Sequence, residues 1–185
     1  MLLWSTDKHG SPERKVRLQV SIGLVLMMTP ALALFEAGLL RAKNAVSLMM
    51  QCWTGLCVLS IMWYLFGYSL SLGPDHGGFI GDFSYGFFKD VETLCAHGQG
   101  FEITGTVFAT FQMMFAAITP LLITGAFSER VPFGSFIVFI CLWSILIYYP
   151  LCHWIWGGGW LAKLKDGHGT VDFAGGAALS ALLTV

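Results

Sequence analysis

Charge is scarce in this sequence. Only 11% of its 185 residues are Asp, Glu, Lys or Arg, against about 25% in an ordinary soluble domain. A net charge of -1 leaves no basic surface to hold nucleic acid. Cysteine is limited to five residues with no C-x-x-C and no zinc spacing. Cys52, Cys57, Cys141 and Cys152 lie in or beside apolar runs, where small buried thiols are ordinary. Cys95 sits in a polar loop, with only Cys152 as a plausible disulfide partner. Paired carboxylates and metal-ligand clusters are also missing, so nothing argues for an enzyme or a cofactor. What is plentiful is apolar: 56% of residues are hydrophobic and the mean hydropathy is +0.70, the composition of a membrane protein.

The few charges are spaced so that long uncharged runs lie between them. Residues 1–17 form a polar tail carrying Lys8, Glu13, Arg14, Lys15 and Arg17. No small-residue cleavage site follows it and the next apolar run is too long for a signal peptide, so it reads as an uncleaved tail. The body, 18–185, then reads as an all-α polytopic membrane domain, with spans expected at about 18–40, 46–72, 103–127 and 132–151 and an incomplete one at 172–185. A complete crossing needs about 20 residues. The last run, Phe173 to Val185, has 13, so the chain is expected to end inside its fifth helix.

Several residues stand out against this background. Pro30 inside the first span should bend it or free a carbonyl. Glu36 is costly in lipid and should face protein or a polar cavity, unless it already lies at the interface. Gln112 in the third span needs a hydrogen-bond partner. Phe111 and Phe115 are four residues apart, with Phe108 a turn earlier, so they share a helix face, for packing or for function. The loop from Gly73 to Glu102 is rich in Gly, Asp and aromatic residues, and its aromatics suggest packing on the membrane surface. His76 and His97 in it read as solvated histidines or as a two-histidine metal site. Asp172 is well placed as a helix N-cap.

The most unusual stretch is Val131 to Ala162, which carries no acidic or basic side chain apart from the weakly basic His153. Its far end gathers Tyr148, Tyr149, Trp154, Trp156, Gly157 to Gly159 and Trp160. Tyr and Trp collect at membrane–water boundaries. This many polar-edged aromatics beside a glycine run suggests a helix exit that lines something. Orientation is contradictory by charge alone. The basic turn at Arg41 and Lys43 and the turn at Arg130 fall on one side and argue that this side is cytoplasmic. The basic tail, which falls on the other side, argues the reverse.

The stretches LMMTPALALFEAGLLRAKNAVSLMMQ, FQMMFAAITPLLITGAFSERVPF, YYPLCHWIWGGGW and VDFAGG strongly resemble the ammonium transporter (Amt/Mep/Rh) family, on its Amt side. The likeness runs from about Val20 to Gly176 and keeps the motifs in order. It implies a trimeric plasma-membrane protein with the N-terminus outside. It also implies a conduction path in each subunit between two inverted repeats, of which this chain holds the first, truncated in the fifth helix. Ammonium or ammonia and the lipid bilayer are the implied partners.

By the same resemblance, Phe115 corresponds to the first of two stacked phenylalanines closing the outer entrance. Trp156 corresponds to the tryptophan of the external recruitment site. Gln112, with Phe111, falls near that vestibule. Asp172 corresponds to a buried aspartate needed for conduction. The family places a pore histidine eight residues after that aspartate, and Ser180 stands there instead. Serine cannot relay protons as imidazole does near neutral pH. Either the pore is a variant, or the fifth helix was replaced at a mistaken exon boundary or frameshift, which the abrupt end at Val185 favours. The implied function is ammonium transport by a full-length parent, with this chain alone inactive. The alternative is a non-conducting, receptor-like relative assembling with complete subunits.

Overall fold

The computed structural model describes residues 12–91, 95–96, 101–128 and 130–163. Asp172, Ser180 and the expected fifth helix lie outside the described residues. Four helices among the described residues are long and apolar enough to cross a membrane. They are α1, Pro12–Leu39, with its apolar part at Val16–Leu39, then α2, Ala42–Leu72, α3, Gly105–Phe127, and α4, Phe133–Trp156. The last runs past Leu151, through Pro150, which sits in the helix where a new turn can begin without its N–H.

The boundaries follow from local chemistry. Arg41 is extended (φ −62°, ψ 137°) and turns α1 into α2. Pro132 is likewise extended (ψ 150°) immediately before α4, and a proline also pushes the residue before it out of helical geometry. In α3 the regular helix ends at Leu121, just after Pro120, and resumes as a single turn at Thr124–Phe127. α1 carries Pro30 without such a break.

The helices pack around two buried clusters. One, near the turn-rich end that holds 73–91, contains Trp63, Tyr68, Val91, Ala109, Tyr148, Tyr149 and Cys152. The other contains Leu56, Leu59, Ala117, Leu121, Phe136 and Ile140. The opposite faces are apolar yet bare: Leu24, Met27 and Phe35 on α1 and Leu146 on α4 are all more than 60% exposed. Such faces are stable against lipid or further protein and not against water.

Two π-helical turns, Trp63–Gly67 in α2 and Ser144–Tyr148 in α4, contribute Trp63 and Tyr148 to the first cluster, where Tyr149 packs closely on α2. Gly67 makes this possible: a Cβ there would stand 2.8 Å from the Tyr149 ring. The Trp63 and Tyr149 rings meet at 6.0 Å, and Trp63 Nε1 donates to the Ala109 carbonyl at 3.1 Å. The all-α expectation gains two small antiparallel hairpins between α2 and α3. β1 (Asp75–His76) pairs with β2 (Ile80–Gly81), and β3 (Cys95–Ala96) with β4 (Phe101–Thr104).

Candidate functional site

Helical periodicity brings Phe111 and Phe115 together on α3, in the half nearer the hairpins. Their ring centroids are 5.1 Å apart at an interplanar angle of 72°, an edge-to-face pair. Both are half-buried, as is Gln112 between them. Phe108, one turn earlier, packs instead against the Trp63 cluster. Phe108 thus faces the cluster, and the Phe111–Phe115 pair forms a separate half-buried contact on α3.

Trp156 is the last residue of α4, half-buried against the same cluster. The glycines after it have a steric cause. A Cβ on Gly157 would lie 2.3 Å from the Ser71 carbonyl oxygen and 2.5 Å from His153 Nδ1. Gly158 adopts φ +82°, which disfavours other residues. The turn folds back on the helix, with the Gly157 N–H donating to His153 O at 3.0 Å and the Gly159 N–H to the same carbonyl at 3.1 Å.

His153, fully buried one turn before Trp156, shows in the sequence only as a weak base in an apolar run. Its Nδ1 lies 3.2 Å from the Ser71 carbonyl oxygen and its Nε2 lies 3.3 Å from Asp75 Oδ1. The other Asp75 oxygen accepts from Lys163 Nζ in an ion pair. Asp75 Oδ1 also accepts from the Gly78 N–H at 2.7 Å. The Lys163 hydrogen bond, followed by the His153 one, holds the Asp75 carboxyl down to about 2. Two more bonds fasten the β1–β2 hairpin to the α4 exit. Trp154 Nε1 donates to Phe79 O at 2.8 Å, and the Trp160 N–H donates to Gly78 O at 3.1 Å. Around them Phe79, Trp154 and Trp160 meet in series, the first pair edge-to-face and the second tilted, with centroids 6.0 and 5.7 Å apart. The loop's aromatics therefore divide. Tyr85 and Phe88 pack inward on Tyr68, whereas Phe79, Phe83 and Phe87 stay exposed.

At the opposite end, Glu36 is 8% exposed. Its carboxylate accepts from the Thr124 hydroxyl and the Gly125 backbone N–H, at the point where α3 restarts. The break after Pro120 supplies the free amide and the acid uses it. Beyond lies an open cleft of about 280 Å³ between the 40–44 and 128–132 turns, lined by Asn44, Gln51, Ser128 and Arg130.

The structure thus brings Phe111, Gln112 and Phe115 together and sets Trp156 at the same end of the bundle on a different helix. Asp172 and Ser180 lie outside the described residues. Cys152 is a buried free thiol, so the bridge to Cys95 that the sequence left open is not made. His76 is exposed, and His97 lies outside the described residues. Among the described residues no three His, Cys, Asp or Glu side chains gather as metal ligands would. Sequence reasoning misses Asp75 and Lys163. Their partnership spans 88 positions of sequence, and neither occurs in a motif.

Comparison with known proteins adds the family. The profile of the Ammonium Transporter Family matches residues 16–182. Ammonium transporter 1 of Dictyostelium discoideum is 51% identical over 156 residues, covering 84% of this chain and 33% of the relative. The crystal structure of Candida albicans Mep2 superposes with a TM-score of 0.76 at 36% identity, over 89% of this chain and 35% of that one. The solved structure of a protein named Sensor Amt Protein superposes at 0.78 with 26% identity, over 89% and 40%. The chain spans about a third of the length of the curated relatives it matches.

Proposed function

From the premise that this chain belongs to the ammonium transporter family, we propose that it forms the first inverted repeat of a protein that moves ammonium or ammonia across the plasma membrane. The named relatives are transporters and not enzymes. Trp156 receives the cation on its ring face at the outer end of α4, a contact worth about 0.5–2 kcal/mol. Phe111 and Phe115 narrow the path below it, and Gln112 offers a polar edge beside them. Asp172 supplies a negative charge near the path that favours a cation outside it. The protein assembles as a homotrimer with its N-terminus outside, so that the 40–44 and 128–132 turns face the cytoplasm.

The observation that carries this reading is the aromatic exit of α4. Trp156 is half-buried at a helix end whose backbone is folded back through Gly157 and Gly158. An anchoring tryptophan would need no such turn. The test is labelled methylammonium uptake by the full-length protein in cells lacking their own ammonium transporters. Trp156→Leu should raise the half-saturating concentration about 3- to 10-fold, the loss of one cation–aromatic contact, with the protein still present at the surface. An unchanged concentration dependence would rule the role out.

A second reading is favoured by Ser180, which stands where the family has its pore histidine. In it the protein senses ammonium without conducting it, a role in keeping with the word sensor in the name of the Sensor Amt Protein. Ammonium binding without uptake by the full-length protein would support it.

A further inference from the structure

We propose that Asp75 is a positioning residue for cation recruitment: through His153 and Lys163 it fixes the α4 exit and thereby the ring of Trp156. The proposal rests on the recruitment role of Trp156 and adds to it the group that sets that ring.

Asp75 joins three segments through one carboxylate. Its Oδ1 faces His153 Nε2 at 3.3 Å and the Gly78 N–H at 2.7 Å, while its Oδ2 takes the ion pair from Lys163. His153 lies inside α4, Lys163 lies beyond the glycine turn, and Gly78 lies in the hairpin. Trp156 stands on the stretch between the two clamped side chains. His153 also shapes the turn directly, because its Nδ1 fills the space next to Gly157 and its carbonyl accepts from both Gly157 and Gly159. A ring set between the Ser71 carbonyl and the Asp75 carboxylate cannot rotate without losing one of these contacts, and the backbone packed on it inherits that restraint. Hydrogen bonds to an ionised group are the stronger kind. A neutral amide at 75 therefore weakens all three contacts while keeping the shape.

A recruiting site gains affinity when its aromatic face is held in the binding orientation before the cation arrives. A clamp on Trp156 should therefore act on the concentration dependence of uptake and spare the maximal rate, because the narrow path below is built from α3. The carboxylate is balanced locally by Lys163 and is engaged with His153, so its effect runs through geometry and not through bulk attraction of cations.

The experiment is a double-mutant cycle on the full-length protein, measuring labelled methylammonium uptake in cells without their own ammonium transporters. Asp75→Asn should raise the half-saturating concentration roughly 3-fold at unchanged maximal rate and surface abundance. Asp75→Glu, which keeps the charge, should recover part of the loss. In the Trp156→Leu background Asp75→Asn should add nothing. Lys163→Gln, at an exposed position, should give a smaller shift of the same sign and guards against a folding defect in Asp75→Asn. A Trp156→Leu variant that behaves as wild type would defeat the recruitment reading itself. If Trp156→Leu shifts but Asp75→Asn and Lys163→Gln do not, recruitment stands and the clamp is wrong. The clamp is equally wrong if Asp75→Asn produces its full shift without Trp156, or lowers only the maximal rate.

Discussion

At the scale of single residues, Asp75 illustrates how an ordinary loop acid gains a structural role. Its carboxyl titrates near 2 in the folded chain, down from an ordinary 3.8, first because of the Lys163 hydrogen bond. A group whose folded value is lowered contributes stability that is present above its unfolded value and is lost as pH falls through the folded one. The thermal midpoint difference between wild type and Asp75→Asn should therefore be present above about pH 4 and shrink below it. A difference that vanished instead on raising the pH to 8 would mean that the stabilising charge is not this carboxylate. Trp156 and Phe115 are readable as candidates because their motifs are contiguous in sequence. Asp75 and Lys163 are not, because a salt bridge between two loops leaves no periodic trace and its partners need share no motif.

At the scale of elements, the four apolar runs are legible because a membrane crossing demands about 20 uncharged residues and little else satisfies that. The π-helical turns at Trp63–Gly67 and Ser144–Tyr148 are not. One extra residue per turn shifts the helical phase without changing composition, and only the packing of Tyr149 over Gly67 shows why it is tolerated. Glu36 lies between these cases. Its charge marks it as needing a polar partner, but the partner is set by the break after Pro120. There the Thr124 hydroxyl and Gly125 N–H become available. Thr124→Val keeps the volume and removes the donor, leaving a buried carboxylate short of one hydrogen bond. The expected cost is about 1–3 kcal/mol, read as a lower thermal midpoint of the purified protein in detergent. An unchanged midpoint would show that the Glu36 contact carries no stability.

At the scale of the whole molecule, the described bundle is one-sided. Its buried aromatic and polar side chains turn inward, while the outer faces of α1 and α4 are bare and apolar. The chain covers about a third of the relatives' length, and the proposed function makes it one repeat facing an inverted partner. In the proposed function these residues form one wall of a path whose other wall must come from elsewhere. In lipid, the half-buried Gln112 would cost free energy if left facing hydrocarbon, so a covering partner also serves stability. The most direct measurement is labelled methylammonium uptake in cells without their own ammonium transporters, comparing the full-length protein with residues 1–185 expressed alone. Clear uptake is expected from the full-length protein, and none above the empty-vector level from residues 1–185. Surface-expressed full-length protein that takes up nothing would contradict transport, and uptake by residues 1–185 alone would contradict the need for a second wall.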